Sequence, residues 1–111
     1  MVCNVAWAAG LIEGEGCLCV VRNSKAKNGK TAKLVVQMND LDVLQRLQEV
    51  FKVGSIYYRP ARKTSKESWA WTVYKAADVK YIITAIYDYL GARRKQKATE
   101  LLEWINGESG I

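Results

Sequence analysis

The spacing of hydrophobic positions changes along the chain between a helical period and the alternation of a β-strand, and these changes predict eight elements. Helical spacing occurs at residues 4–13, 40–51, 79–90 and 92–105. Alternation occurs at residues 17–23, 31–38, 55–59 and 68–74. The predicted order is therefore αββαββαα, with Gly54 expected to stop the second helix after residue 51. Two hairpins separated by a helix form a four-stranded antiparallel sheet with helices on one face, which is an α+β fold.

The predicted strands have one apolar face, which we assign to the core, and one mixed face that suits a ligand. In the strand 31–38 the apolar side consists of Ala32, Leu34, Val36 and Met38. In the strand 68–74 one face consists of Trp69, Trp71 and Val73. We interpret that face as core rather than as a platform on which nucleic-acid bases stack.

Length and composition indicate one ordered domain over residues 1–111. Half of the residues are hydrophobic and one is proline, so a disordered tail or a long linker is not expected. No apolar run approaches the roughly 20 residues that span a bilayer, and the first residues lack the positive charge of a signal peptide. We therefore expect a soluble, intracellular protein without a membrane partner, in a compartment that the sequence does not identify. Three cysteines and no histidine exclude a Cys/His zinc site and favour reduced thiols.

The net charge is +6, from 17 basic and 11 acidic residues, and most of the basic residues fall in three clusters. The clusters lie at residues 22–33, 59–66 and 93–97, and no acidic residue lies between Gly16 and Asn39. One cluster of surface lysines is often only a solvated face. Three clusters on segments that can share one surface indicate a polyanion partner, because phosphate contacts release condensed counterions. The charge pattern therefore favours a nucleic acid.

The segment Ala8-Ala9-Gly10-Leu11-Ile12-Glu13-Gly14-Glu15-Gly16 combines three glycines with two carboxylates at the end of a short apolar helix. Small residues at Ala6, Ala9 and Gly10 leave one helix face nearly bare, so the backbone of a second helix could approach it. If two copies of the chain meet there, their carboxylates come close together, and a hard divalent cation would relieve their repulsion. The alternative is a helix that ends in glycines and whose acids are only solvated.

This segment resembles the LAGLIDADG signature of homing endonucleases, with Ala8 in place of the first leucine and with Glu13 and Glu15 in place of the two aspartates. The resemblance extends over roughly residues 4–105 and includes Lys33-Leu34-Val35-Val36-Gln37, Asp42-Val43-Leu44, Phe51-Lys52-Val53-Gly54-Ser55-Ile56 and Arg93-Arg94-Lys95-Gln96. The predicted order of elements is also that of the LAGLIDADG fold. Because the chain holds one signature and no internal repeat, the resemblance implies a symmetric homodimer paired through the first helix. The expected interface residues are Ala6, Ala9, Gly10 and Glu13.

The family cleaves both strands of a long, nearly palindromic DNA site, so the resemblance implies a Mg²⁺-dependent endonuclease in which the second signature acid binds the metal. That acid is Glu15, and the Gly14 carbonyl is expected to help it hold the ion, with one Glu15 from each subunit. Glu13 ranks second as a metal ligand, since it is expected to cap or support the paired helix ends.

The family also places a polar residue after the second strand, and a basic residue near the start of the last helix, around the attacking water. These positions correspond to Asp40, with Gln37 nearby, and to Arg93 or Lys95. Alternatives stay open for both. Asp40 could be only an acid at a helix start, and the basic run could only contact backbone phosphate.

The sheet face opposite the core is expected to contact double-stranded DNA, since a β-ribbon fits a groove and presents side chains to base edges. Lys33 and Arg59 are predicted to reach guanine edges, while loop lysines and arginines position phosphates. The predicted DNA-binding residues are Lys25, Lys27, Lys30, Thr31, Lys33, Gln37, Ser55, Tyr57, Arg59, Arg62, Lys63, Lys66, Ser68, Ala70 and Thr72.

Two other functions compete with this interpretation. The first is a binding protein on the same scaffold, an intron maturase or a transcription factor, which binds nucleic acid without cutting it. The presence of both acids favours catalysis, because a binder gains nothing from carboxylates that face phosphate. The second is a helix-mediated dimerisation module whose charge serves only solubility, and steeply salt-dependent affinity for DNA would exclude it.

Overall fold

Helices cover one face of a four-stranded sheet in this computed structural model, which describes residues 4–22 and 29–109. The helices are α1 (Asn4–Glu15), α2 (Leu41–Phe51), α3 (Ala76–Ile86) and α4 (Ala92–Ser109), and a short 3₁₀ helix, Tyr87–Tyr89, lies between α3 and α4. The strands are β1 (Gly16–Arg22), β2 (Lys30–Met38), β3 (Ser55–Arg59) and β4 (Ser68–Val73). The predicted order αββαββαα and the α+β class are confirmed. Within the described ranges, no helix combines the length and the apolar character needed to cross a lipid bilayer.

All strand pairs are antiparallel, and their order across the sheet is β1-β2-β4-β3. Leu34 of β2 pairs with Leu18 on one side and with Val73 on the other, and all three side chains are buried beneath the helices. Because alternate residues of a strand point to opposite faces, the neighbours of these residues lie on the other side of the sheet. We call that side the open face, and it consists of Cys17, Cys19, Val21, Thr31, Lys33, Val35, Gln37, Ser55, Tyr57, Arg59, Ser68, Ala70 and Thr72.

The prediction that Trp71 belongs to the core is confirmed, because its side chain is fully buried. Its ring stacks on Phe51 of α2 with the centroids 6.1 Å apart, and its indole nitrogen donates a 3.0 Å hydrogen bond to the Val53 carbonyl. Trp69, on the same side of β4, is only half-buried and packs on Tyr58. The contacts of Trp71 attach the loop after α2 to the central strand β4.

Helix α2 ends at Phe51, as the helical spacing of residues 40–51 predicted, and Gly54 lies beyond its end. Phe51 is the last helical residue, and Lys52 adopts a left-handed conformation with φ 58° while its N–H donates a 2.6 Å bond to the Gln48 carbonyl. Gly54 instead forms the turn into β3 with φ 89°. A Cβ at Gly54 would lie 2.5 Å from the indole nitrogen of Trp71. Both the backbone conformation and the close approach therefore require glycine.

Helix α1 continues past its predicted end at residue 13, through Gly14 to Glu15, and β1 begins at once with Gly16. A Cβ at Gly16 would lie 2.6 Å from the carbonyl oxygen of Ile12, whose side chain is fully buried. The chain can change from helix to strand within one residue only because this position is glycine. The abrupt change leaves Glu15 at the edge of the sheet.

Candidate active site and open face

Glu15, the predicted metal ligand, is exposed as the last residue of α1. The next residue, Gly16, pairs with Val36, so Gln37 of the open face is the next β2 residue toward the end of α1. Gln37 is exposed, and its side-chain nitrogen donates a 2.9 Å hydrogen bond to the Ser68 hydroxyl. The catalytic candidate and a polar side chain of the open face therefore lie at the same end of the sheet.

Asp40, the predicted polar residue after the second strand, is exposed at the N-cap position of α2. Its backbone carbonyl accepts a 3.2 Å hydrogen bond from the N–H of Val43, which starts the helix. Its carboxylate makes no capping hydrogen bond to the helix. The side chain is thus not used by the helix start. It lies two residues beyond β2, at the end of the sheet where Glu15 lies.

Glu13 behaves differently from Glu15, although both come from the same helix end. Its side chain is half-buried, and an added Cβ at Gly91 would lie 3.0 Å from its Oε1 atom. That Glu13 also lies at a dimer interface stays a prediction. Its carboxylate is directed at the residue before α4 of the same chain.

Arg94 is a functional candidate that was not predicted from the sequence. Its guanidinium donates a 2.6 Å hydrogen bond to the carbonyl oxygen of Gly16, the residue after Glu15. The predicted candidates lie elsewhere on the first turn of α4: Arg93 is exposed, and the Lys95 ammonium lies 5.5 Å from the centroid of the Tyr87 ring. Arg94 therefore joins Arg93 and Lys95 as a basic candidate, because it contacts the backbone of the residue next to the predicted metal ligand.

Helical phase could have identified Arg94. The buried residues of α4 include Ala98, Leu101 and Ile105, which recur at intervals of three and four residues. The same spacing extended back by four residues reaches Arg94, so this side chain lies on the inward face of α4. Arg93 and Lys95 lie to either side of that face.

The outward face of α1 differs in part from the predicted interface. Ala9 is fully buried in the core of its own chain, so its assignment to a dimer interface was wrong. Gly10 is exposed, and apart from the adjacent residues and backbone of α1 itself, no described atom lies within 4 Å of an added Cβ at either Gly10 or Gly14. Ala6 is half-buried, as is Trp7, whose ring lies 3.9 Å from the Arg46 guanidinium carbon. The open helix surface is therefore centred on Gly10 and Gly14.

The middle of the open face is a buried floor. Ser68, Ala70 and Thr72 point to the predicted side, but they are only 6%, 0% and 5% exposed. The prediction that these side chains contact DNA directly is thus corrected. The cause is the strand order, since β4 lies between β2 and β3 and its short side chains are flanked by longer ones. Gln37 and Tyr57, for example, both pair with Ala70.

The longer side chains around this floor remain accessible. Tyr57 is 52% exposed, and Ser55, Arg59 and Lys30 are also exposed. At one end of the face, the Lys33 ammonium lies 5.5 Å from the centroid of the Tyr74 ring, while the Thr31 hydroxyl donates a 3.0 Å hydrogen bond to the Tyr74 carbonyl. Polar and basic side chains therefore surround the floor.

A basic cleft of about 350 Å³ lies at the other end of the open face, between Gln37 and the loop that joins β3 to β4. Arg62 and Ser65 close this loop with two backbone hydrogen bonds of 2.8 and 3.2 Å. Three predicted phosphate contacts, Arg62, Lys63 and Lys66, are exposed on the loop. Of the other three, Lys30 is exposed at the start of β2, while Lys25 and Lys27 fall outside the described residues.

Cys17 and Cys19 lie on the open face of β1 as free thiols. Burial and the neighbouring Cys17 raise the pKa of the Cys19 thiol above its usual value, against a smaller opposing effect of Lys33 and Lys97. A raised pKa keeps Cys19 protonated at neutral pH, so it is not an activated nucleophile.

A divalent cation could be held at the end of α1 by two oxygen donors of the chain, the Glu15 carboxylate and the Gly14 carbonyl. In the described part of the chain, no three His, Cys, Asp or Glu side chains are grouped so that they could hold a metal ion. Oxygen donors are those that Mg²⁺ prefers, but two do not fill its coordination shell. The donor set therefore fits Mg²⁺ if the other ligands come from a second molecule or from water.

Comparison with known sequences identifies a family and one curated relative. A sequence profile described as LAGLIDADG endonuclease matches residues 8–106. Intron-encoded DNA endonuclease aI3 of Saccharomyces cerevisiae is 26% identical over 103 residues, which are 90% of this chain and 24% of that protein. The chain thus spans about a quarter of the length of this relative.

Solved structures of homing endonucleases have the same fold. I-CvuI in complex with the I-CreI target gives a TM-score of 0.71 at 18% identity, over 92% of this chain and 65% of that one. I-CeuI complexed with DNA gives a TM-score of 0.74 at 19% identity, over 93% of this chain and 54% of that one. I-TnaI gives a TM-score of 0.68 at 20% identity, over 95% of this chain and 73% of that one. At these identities the likeness establishes the fold alone.

Proposed function

The chain belongs to the LAGLIDADG endonuclease family, and from this premise we propose that it is a site-specific DNA endonuclease. Two copies of the chain bind a long, nearly palindromic duplex site and cleave both strands by Mg²⁺-dependent hydrolysis. The observation that most directly supports this proposal is the exposed position of Glu15 at the edge of the open face, beside the carbonyl that Arg94 contacts. The Glu15 carboxylate and the Arg94 guanidinium are thereby presented at the end of a surface suited to DNA.

The homodimer is supported by the incomplete donor set of one chain and by the free surface of α1. Gly10 and Gly14 have space for the backbone of a second helix. Pairing along this surface would bring the two α1 ends, and with them the two Glu15 carboxylates, to the same place. Each chain would then supply its Glu15 carboxylate and its Gly14 carbonyl.

A bound divalent cation would supply Lewis-acid stabilisation of charge at the phosphate and a lower pKa for water. The side chains of the protein have separate tasks. Arg94 uses one N–H on the Gly16 carbonyl, and its remaining N–H groups can donate to a phosphate. Asp40, whose carboxylate makes no cap bond to α2, can accept a hydrogen bond from water. Gln37 has one N–H on Ser68, so its amide oxygen is free to orient water or contact a base edge.

DNA binding is assigned to the open face and its basic loop. Lys33 and Arg59 reach base edges in this proposal, and Arg62, Lys63 and Lys66 contact phosphates. The separation of roles follows from position: the first two belong to strands that a groove can hold, whereas the last three lie on the exposed loop between β3 and β4. The buried floor of Ser68, Ala70 and Thr72 shapes the surface without contacting the bases.

The test is cleavage of a random duplex library with Mg²⁺, followed by sequencing of the new ends. The wild-type chain is expected to cut one recurrent site, and Glu15→Gln is expected to abolish cutting while binding stays equal or becomes tighter. Glu103→Gln, an exposed acid on α4, is the matched control and should cut normally. Undiminished cutting by Glu15→Gln would remove Glu15 from the mechanism. Binding without cutting by the wild-type chain would instead support a non-cleaving nucleic-acid-binding protein.

A further inference from the structure

The Glu13 carboxylate, at the end of α1, lies beside Gly91, the residue before α4. Its Oε1 atom would lie 3.0 Å from a Cβ at Gly91, and its Oε2 atom is buried with no hydrogen-bond partner among the described residues. We propose that Glu13 is a positioning residue, which holds the N-terminal end of α4, and with it Arg94, against the end of α1 that presents Glu15. The effect on cleavage rests on the proposed nuclease function, but the contact itself does not.

A carboxylate would stabilise the N-terminal end of α4. The Gly91 carbonyl accepts a 2.9 Å hydrogen bond from the N–H of Lys95, which makes Gly91 the N-cap residue. Backbone N–H groups in the first turn of a helix have no partner within the helix, and the helix dipole makes this end positive. Glycine has no side-chain oxygen with which to cap them. The carboxylate of Glu13 supplies negative charge at this point from another element.

The same two chain segments are joined by a second contact. Glu13 and Gly16 lie three residues apart around the end of α1, and Gly91 and Arg94 lie three residues apart at the start of α4. The Glu13 carboxylate lies beside Gly91, while Arg94 donates to the Gly16 carbonyl. Each segment therefore provides one charged side chain to the backbone of the other. Weakening the first contact should let α4 move and should displace the guanidinium from Gly16.

Hydrogen exchange measured by NMR on the free protein tests the contact without DNA or metal. In Glu13→Gln, the backbone amides of residues 95–97, the first that helix hydrogen bonds protect, and the guanidinium N–H of Arg94 should exchange faster, by about tenfold. Glu103→Gln removes an exposed acid from the same helix and should leave these rates unchanged. Equal exchange rates in Glu13→Gln and the wild-type chain would overturn the proposal.

A double-mutant cycle separates this role from general destabilisation. Gly91→Ala crowds the Glu13 carboxylate and should raise the exchange rates of residues 95–97 by about tenfold, as Glu13→Gln does. In a Glu13→Ala background, the same change should add only the smaller intrinsic cost of alanine at an N-cap, because the atom that it displaces is gone. Gly107→Ala on the same helix is the control, because the added Cβ meets no described atom within 4 Å outside the adjacent part of α4. Additive effects of Gly91→Ala and Glu13→Ala would contradict the proposal.

Cleavage kinetics then distinguish positioning from metal binding. Glu13→Gln should lower the single-turnover cleavage rate by about tenfold, with the Mg²⁺ concentration for half-maximal rate and the DNA affinity unchanged. A shift in that Mg²⁺ concentration would identify Glu13 as a metal ligand and would overturn the proposal. If the wild-type chain does not cleave DNA, the proposed function fails, and the exchange experiments still decide whether Glu13 holds α4.

Discussion

Arg94 and Gly16 are 78 residues apart in sequence, yet the Arg94 guanidinium donates a 2.6 Å hydrogen bond to the Gly16 carbonyl. This bond connects the start of the last helix to the first residue of the sheet. Because Gly16 follows Glu15 directly, the bond also fixes a positive charge beside the predicted metal ligand. A guanidinium with several N–H groups can keep this bond and still donate to a DNA phosphate.

We therefore expect Arg94 to be the basic residue that cleavage needs. Arg94→Ala should lower the single-turnover cleavage rate by about 100-fold, the usual effect of removing one preorganised donor. Arg94→Lys should lower the single-turnover cleavage rate by about tenfold, because one ammonium cannot donate to both the carbonyl and a phosphate as well as a guanidinium does. Arg93→Ala, next to it and exposed, is the control and should change affinity rather than rate. Equal rate losses in Arg93→Ala and Arg94→Ala would contradict this assignment.

Gly54 is expected to be essential for stability. Gly54→Ala should lower the free energy of unfolding by about 2–4 kcal/mol, because alanine is strained at φ 89° and its Cβ would lie 2.5 Å from the buried Trp71 ring. Gly29 has a similar φ of 73° but open space around it, so Gly29→Ala should cost only about 1 kcal/mol. Urea unfolding followed by tryptophan fluorescence measures both. Equal losses would show that the contact with Trp71 adds nothing.

Local periodicity explains which parts of the fold the sequence could predict. The alternation of Ser68, Ala70 and Thr72 with larger apolar residues correctly separates the two faces of β4, since the strand period depends only on neighbouring residues. Their burial could not be predicted, because it depends on β4 lying between β2 and β3. Strand order is a long-range property that no single strand encodes.

The candidate site shows the same division. The exposed position of Glu15 at the helix end could be predicted because the signature is contiguous in sequence. The contact of Glu13 with Gly91 could not, since it joins residues that are distant along the chain and depends on how α4 packs. Arg94 is an intermediate case. Its phase relative to Ala98 and Leu101 was available in the sequence, but the alignment to the family placed the basic residue one position to either side.

The basic loop between β3 and β4 is expected to contribute charge rather than sequence recognition. Replacing Arg62, Lys63 and Lys66 with alanine should weaken binding to specific and random DNA alike. The slope of log affinity against log salt should become shallower by about 0.9 for each phosphate that the variant no longer neutralises. Lys52→Ala, on the helix side and paired with Glu49, should not change the slope. Weaker binding to the specific site alone would show instead that the loop contacts bases.

Neighbouring small residues of α1 should respond in opposite ways to enlargement, because one faces the core and the other faces outward. Ala9 is fully buried, so Ala9→Leu should overpack the core and cost about 1–3 kcal/mol of unfolding free energy. A Cβ added at Gly10 meets no described atom within 4 Å outside the adjacent part of α1. Gly10→Leu should therefore leave the fold intact and block the approach of a second helix. Sedimentation should then show Gly10→Leu as a folded monomer under conditions in which the wild-type chain is a dimer. A folded, dimeric Gly10→Leu would place the interface elsewhere and would leave each Glu15 without its expected partner.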